Sequence, residues 1–200
     1  TTTSRILQSV DERTRGLVQR LQKLTEIGTQ LSAERDLTKL LALILRESRA
    51  LTGADAGAVF VRLDDVQVVE NATGKDAIHK VTPYLVLKVA QNDSLQFPFK
   101  EMKLPFEGKT LSGHVALTGA VLNVPDVYQI SKSLPYSYST SFDEISGYRC
   151  KSMLVFPMRN REGDIIGVIQ LINKKDDPAA RLGRRQDVDV HVQDFDAFDE

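Results

Sequence analysis

Residues 151–175 read KSMLVFPMRNREGDIIGVIQLINKK, and no other stretch limits the possible folds as strongly. Two apolar runs, 152–158 and 165–172, flank a polar segment that contains Glu162-Gly163-Asp164. That order predicts a β-hairpin with a longer loop. Neither run alternates. Leu154, Phe156 and Met158 share one face, Met153 and Val155 the other. Ile165, Gly167, Ile169 and Leu171 share a face, with Ile166, Val168 and Ile172 opposite. Strands apolar on both faces belong inside a sheet that is covered on both sides. Gln170 breaks the rule. A buried amide left unpaired costs about 1–3 kcal/mol, so Gln170 needs a partner from the protein, a trapped water or a ligand.

Two hundred residues, 42% hydrophobic and 26% charged, allow one cored domain plus an extension. The net charge of −1 offers no footprint for nucleic acid. A single cysteine, Cys150, excludes an intrachain disulfide and a cysteine-based zinc site, and fits a reducing, cytoplasmic setting. The apolar run 40–45 is too short for a bilayer and no secretory signal is visible, so no membrane contact is expected of this segment.

Residues 4–34 read as a polar helix with a thin apolar seam. Leu7, Val10, Thr14, Leu17, Leu21, Leu24, Gly28 and Leu31 follow 3-4-3-4 spacing, a coiled-coil heptad seam over about four repeats. So narrow a stripe suits a partner helix. Residues 1–34 are therefore expected to form a dimerisation and signalling helix, the alternative being a helix packed on its own domain. Residues 35–200 are expected to form the domain itself. Asp36 can cap a helix over 37–51 that Gly53 stops. Strands are expected at 56–63, 66–70 and 84–90, with a turn at Asp64-Asp65 and loops over 71–82 and 92–103. A helix over 111–118 stopped by Gly119, a strand over 121–124, an irregular segment over 131–141 and a helical turn or two over 142–148 precede the hairpin. Residues 176–193 carry charge and little periodicity, and 195–200 read as the start of a helix. The order predicts an α+β fold with helices on both faces of a mainly antiparallel sheet.

Nothing assembles a catalytic centre. His79, His114 and His191 share no metal-ligand spacing, and GxSxG and HExxH are absent. Gly108-Lys109-Thr110 lacks the upstream glycine of a P-loop. Cys150, between Arg149 and Lys151, reads either as a favoured thiolate or as a buried inert thiol. No catalytic residue, metal or cofactor is expected. A binding site is better supported. Thr110, Ser112 and Gly113 stand at a helix start, whose first N–H groups lack internal partners and attract anions. Asp143 and Ser146 flank a second short helix.

The stretches LSGHVALTGAVLNVPDVY, FDEISGYRCKSMLVFPM and GVIQLINK resemble a GAF domain of the cyclic-nucleotide-phosphodiesterase type. The likeness runs over about 37–174. The family's spaced motif, Asn-Lys, a gap, then Phe-x-x-x-Asp-Glu, matches Asn173, Lys174, Phe195, Asp199 and Glu200. The resemblance implies a GAF fold and a Lys174–Asp199 salt bridge that supports the pocket without touching the ligand. Carried over by position, the ligand contacts fall on Leu111, Ser112, Asp143, Ser146, Cys150 and Gln170, and the ligand is cAMP or cGMP. It further implies a homodimeric regulatory module without catalysis of its own. In a bacterial multidomain protein it would control an HD-GYP phosphodiesterase, a cyclase or a kinase. The alternative is a structural GAF module that binds nothing. Three departures stand out: Gln170 and Cys150 replace an acid and a hydroxyl found in cyclic-GMP binders; 125–147 is longer than in mammalian phosphodiesterase domains, which leaves the ligand-packing tyrosine as Tyr136, Tyr138 or neither; and the gap between Lys174 and Phe195 is long.

Overall fold

The structure is a computed structural model that describes residues 26–28, 34–70, 77–98, 101–197 and 199. The heptad seam expected over 4–34 and the motif residue Glu200 lie outside the described residues, apart from 26–28, which are helical. The chain divides into two compact units, 1–44 and 45–200. Helix α1 (Leu37–Thr52) runs through the division. Asp36 caps it as expected, accepting from the backbone N–H groups of Thr38 at 2.9 Å and Lys39 at 3.2 Å.

The second unit is built on an antiparallel sheet. Its strands are β1 (Ala54–Glu70), β2 (Ala77–Asn92), β3 (Lys103–Pro105), β4 (Leu122–Val124), β5 (Met153–Arg159), β6 (Ile165–Lys175) and β7 (Val192–Gln193). They lie in the order β3-β2-β1-β6-β5-β4, with β7 added to β6. The expected hairpin is β5–β6, and its β6 strand sits mid-sheet between β1 and β5. Met153, Leu154 and Val155 are consecutive and all buried, as are Val168 and Ile169, so both faces are covered there. The outer end departs from the pattern: Ile166 is exposed.

Small residues at the start of β1 decide what each face can hold. Gly57 faces α1. A Cβ built there would lie 2.8 Å from Leu45 Cδ1 and 2.8 Å from the Gln170 carbonyl, so only glycine lets the helix approach this closely. Ala56 and Ala58 point to the opposite face. Helix α2 (Leu111–Thr118) covers that face, but two alanines are too short to fill the space beneath it.

Four expectations need correction. Asp64-Asp65 is not a turn, and 77–82 is not a loop. β1 and β2 form one long hairpin in which Asp64 pairs with Pro83 and Asp65 with Thr82. Beyond Val61 on β1 and Tyr84 on β2 these strands pair only with each other among the described residues, and Leu63, Asp64, Asp65 and Val66 are all exposed. Four exposed residues in a row show no alternation, so the sequence did not join the strands expected on either side of Asp64-Asp65. Residues 176–193 include helix α4 (Arg185–His191), in which Val188 is the one fully buried residue; a single buried position has no period. Residues 194–196 have no regular structure and 197 and 199 are turn, so the described residues here show no start of a helix. There the Asp196 N–H donates to the Asp199 carboxylate at 2.8 Å, which bends the chain back on itself.

Candidate functional site

Between the sheet and α2 lies a cavity of about 350 Å³. Its floor is Ala56, Ala58 and Phe60 of β1 with Gln170 and Ile172 of β6. Leu111 and Ser112 of α2 form one side; Leu87, Met102 and Leu104 form another. The segment Ser137–Phe142, together with Tyr148 and Cys150, closes it. The volume falls within the roughly 300–1,000 Å³ of small-molecule sites, and a mostly apolar wall with a few polar groups is the usual make-up of such sites.

Helix α2 is aimed by its caps. The Thr110 hydroxyl accepts from Gly113 N–H at 3.0 Å, and Gly119 ends the helix in the left-handed region, at φ 71°, with its N–H on the Val115 carbonyl. The start of α2 therefore sits on the cavity wall. Gln170 Nε2 donates to the buried Ser112 hydroxyl at 2.7 Å, tying the helix to the middle of the sheet. The amide in the apolar strand has found a protein partner while its side chain still borders the cavity.

Asp143 lies on the first turn of helix α3 (Ser141–Ser146) and is buried. Its carboxylate accepts from three protein donors: Tyr138 OH at 2.6 Å, Tyr128 OH at 2.6 Å and the Cys150 N–H at 3.0 Å. Tyr128 belongs to a 3-10 turn, Val127–Gln129, that Asp126 caps. Burial and the neighbouring Asp143 push the pKa of both tyrosines well above the ordinary range. Burial raises Cys150 too, and the Asp143 charge raises it further, so the thiol stays protonated and is not the favoured thiolate. Ser146 spends its hydroxyl locally, donating to the Phe142 carbonyl at 2.7 Å and accepting from Tyr148 N–H at 3.2 Å.

Of the residues expected to contact a ligand, Leu111, Ser112, Cys150 and Gln170 border the cavity; Asp143 and Ser146 stand behind its wall. Of the two tyrosines left open, Tyr138 borders the cavity, whereas Tyr136 stacks on His114 at 4.7 Å between ring centres. Spacing could not foresee Tyr138, because it meets Asp143 across an irregular loop.

The rim is braced from behind. Tyr148 OH donates to Asp55 at 2.8 Å and accepts from Asn173 Nδ2 at 3.0 Å. Asn173 holds φ 57°, a conformation asparagine tolerates, and its Oδ1 accepts from Lys151 N–H at 2.7 Å. Asp55 is fully buried, 3.1 Å from the Lys175 ammonium, and also accepts from the Ser94 hydroxyl at 2.8 Å. Next to it Lys174 meets Asp199, and Asp196 at 3.0 Å. Burial alone would lower the Lys174 pKa, but these two carboxylates outweigh it and raise it. Asn173, Lys174, Phe195 and Asp199 do not touch the cavity; Asn173 reaches it only through Tyr148.

A spectroscopic titration checks this electrostatic picture. Tyr128, Tyr138 and Tyr148 all have raised pKa values, so at pH 11 these three of the chain's five tyrosines should remain un-ionised while the protein is folded. Their protons are held more tightly folded than unfolded. Stability they contribute is complete below about pH 10 and is lost as pH rises beyond it. Full ionisation of all tyrosines in the folded protein at pH 11 would contradict the bonds to Asp143 and Asp55.

A family model described as "GAF domain" matches residues 36–190. Among curated proteins, the dual 3',5'-cyclic-AMP and -GMP phosphodiesterase 11A of Takifugu rubripes is 31% identical over 149 residues, 74% of this chain. The dual 3',5'-cyclic-AMP and -GMP phosphodiesterase 11 of Drosophila melanogaster is 29% identical over 154 residues. The matched stretch spans only 15% and 10% of those relatives' lengths. Among solved structures, the GAF domain of a phosphoenolpyruvate-protein phosphotransferase from Coxiella burnetii superposes with a TM-score of 0.55 at 18% identity, covering 90% of this chain and 83% of that one. At that identity the likeness concerns the fold alone.

Proposed function

The chain belongs to the GAF family, and from that premise we propose that it is a sensing module whose cavity takes a cyclic nucleotide, cAMP or cGMP. The observation that carries the reading is the 350 Å³ space left under α2, with Ser112 and Gln170 beside the helix start. A cyclic phosphate placed there would meet the first N–H groups of α2, and the base would lie on the apolar sheet. The two phosphodiesterases above, whose names include both nucleotides, support the same class.

The proposal includes the rest of a longer protein. Occupancy of the cavity would shift the chain on either side of the domain and so control an effector elsewhere. The heptad seam from Leu7 to Leu31 is the proposed dimer contact. Sedimentation should give a dimer for 1–200 and a monomer for 35–200; equal masses would remove the seam from that role.

Isothermal titration with cAMP and with cGMP is the direct test. Heat of binding is expected with at least one, together with about 2.7 kcal/mol of added stability at a hundredfold excess over Kd. No heat with either at tens of micromolar protein ends the nucleotide reading. One observation favours the ligand-free alternative: Gln170 and Asp143 are already satisfied by the protein's own groups.

A further inference from the structure

We propose that Tyr138 is the gate of the cavity and Asp143 its latch, so that access depends on the hydrogen bonds of one phenol rather than on unfolding of the domain. What passes the gate rests on the nucleotide reading above; the gate itself does not.

The wall segment Ser137–Phe142 is pinned at its start, where Ser137 N–H donates to the Lys109 carbonyl at 2.9 Å, and at its end by helix α3. Between these points Ser137, Ser139 and Ser141 are exposed, and the Ser139 and Ser141 hydroxyls bond each other at 3.0 Å. The half-buried Tyr138 is the large side chain of that strap, and its hydroxyl bond to Asp143 fastens it inward. The latch does not move with the strap. Asp143 is held by Tyr128 OH and by Cys150 N–H on its other oxygen. When Tyr138 swings out, the carboxylate keeps those two donors on one oxygen, and the opened wall admits water to the freed phenol and to the oxygen it leaves. Opening therefore strands no buried polar group, which is what a low-cost local opening requires. Tyr128 bonds the same carboxylate without bordering the cavity, and the Cys150 N–H still holds the oxygen it would leave, so Tyr128→Phe is the control for losing a bond to Asp143 without opening the wall.

Cys150 reports the gate. It is the chain's one thiol, buried on the cavity wall beside Asp143. A small maleimide reaches it only when the wall opens. The experiment measures the labelling rate of the 200-residue chain, of Tyr138→Phe and of Tyr128→Phe, each beside its unfolding constant from urea titration. Tyr138→Phe is expected to label at least about tenfold faster than the wild type, beyond any rise in its unfolding constant, because it loses a hydrogen bond to a charged acceptor. Tyr128→Phe is expected to change labelling only as far as its unfolding constant changes. A Tyr138→Phe rate that is unchanged, or that merely follows global unfolding, overturns the gate. So does an equal excess for Tyr128→Phe, which would mean that the position of Asp143 is what matters. Saturating cAMP or cGMP, where titration shows that it binds, should slow labelling of the wild type; binding without slowing also overturns the gate. If neither nucleotide binds, the sensing proposal fails, and the comparison of the three rates still decides whether Tyr138 opens the wall.

Discussion

Asp55→Ala should cost the domain about 3–5 kcal/mol, the loss typical of a buried ion pair deprived of one partner. Lys175 is buried with its ammonium 3.1 Å from the Asp55 carboxylate; without that carboxylate it keeps the Pro178 and Ala180 carbonyls and the more distant Asp93 carboxylate at 3.8 Å. The damage spreads because Asp55 joins several segments. Its carboxylate receives the Tyr148 hydroxyl at 2.8 Å and the Ser94 hydroxyl at 2.8 Å, and both lose their acceptor, whereas the bonds of Arg49 and the Asp93 N–H to its backbone carbonyl survive the substitution. Urea unfolding measures the effect. Adding Lys175→Met to Asp55→Ala should recover part of the loss, since the buried ammonium deprived of its nearest carboxylate is gone. A single-variant loss below about 1 kcal/mol would show that the pair is hydrated and not a structural hub.

Asp143→Ala should cost about 2–4 kcal/mol. Three donors lose their acceptor, but they are not equally placed. Tyr128 is half-exposed and its phenol can turn to water; the Tyr138 phenol reaches water only by opening the wall, and the N–H of buried Cys150 stays inside. Two stranded donors at about 1–3 kcal/mol each set the magnitude. Asp143→Asn, which keeps one acceptor oxygen, should fall between alanine and wild type. The affinity measured by titration should fall in both variants, through a loosened wall and not through a lost ligand contact. A variant that unfolds at the wild-type urea midpoint, or alanine and asparagine variants that behave alike, would remove the three-donor arrangement as the reason Asp143 is buried.

How far the site was readable from the sequence follows from these two carboxylates. Asp143 was singled out because it sits near a short helix start, and as a family contact; its location was legible, its partner was not. The tyrosines that occupy it come from an irregular segment and a 3-10 turn, with no periodicity to aim them. Asp55 gave no signal, because one acid at the head of an apolar strand looks like a strand end; only the return of β6 brings Lys175 beside it. Gln170 was legible as an amide that needs a partner, yet Ser112 lies 58 residues earlier and is selected by how α2 docks.

The amino-acid pattern alone determined the two-faced central hairpin, the caps of α1 and α2 and the α+β layering, because burial on both faces and capping chemistry act over a few neighbouring residues. It did not determine the long β1–β2 ribbon, the helix at 185–191 or the space under α2. Those arise where distant segments meet. A strand that continues through four exposed residues, a helix with one buried side chain, and a cavity defined by what two alanines fail to fill leave no local mark in the chain, since each is a relation between surfaces that only folding brings together.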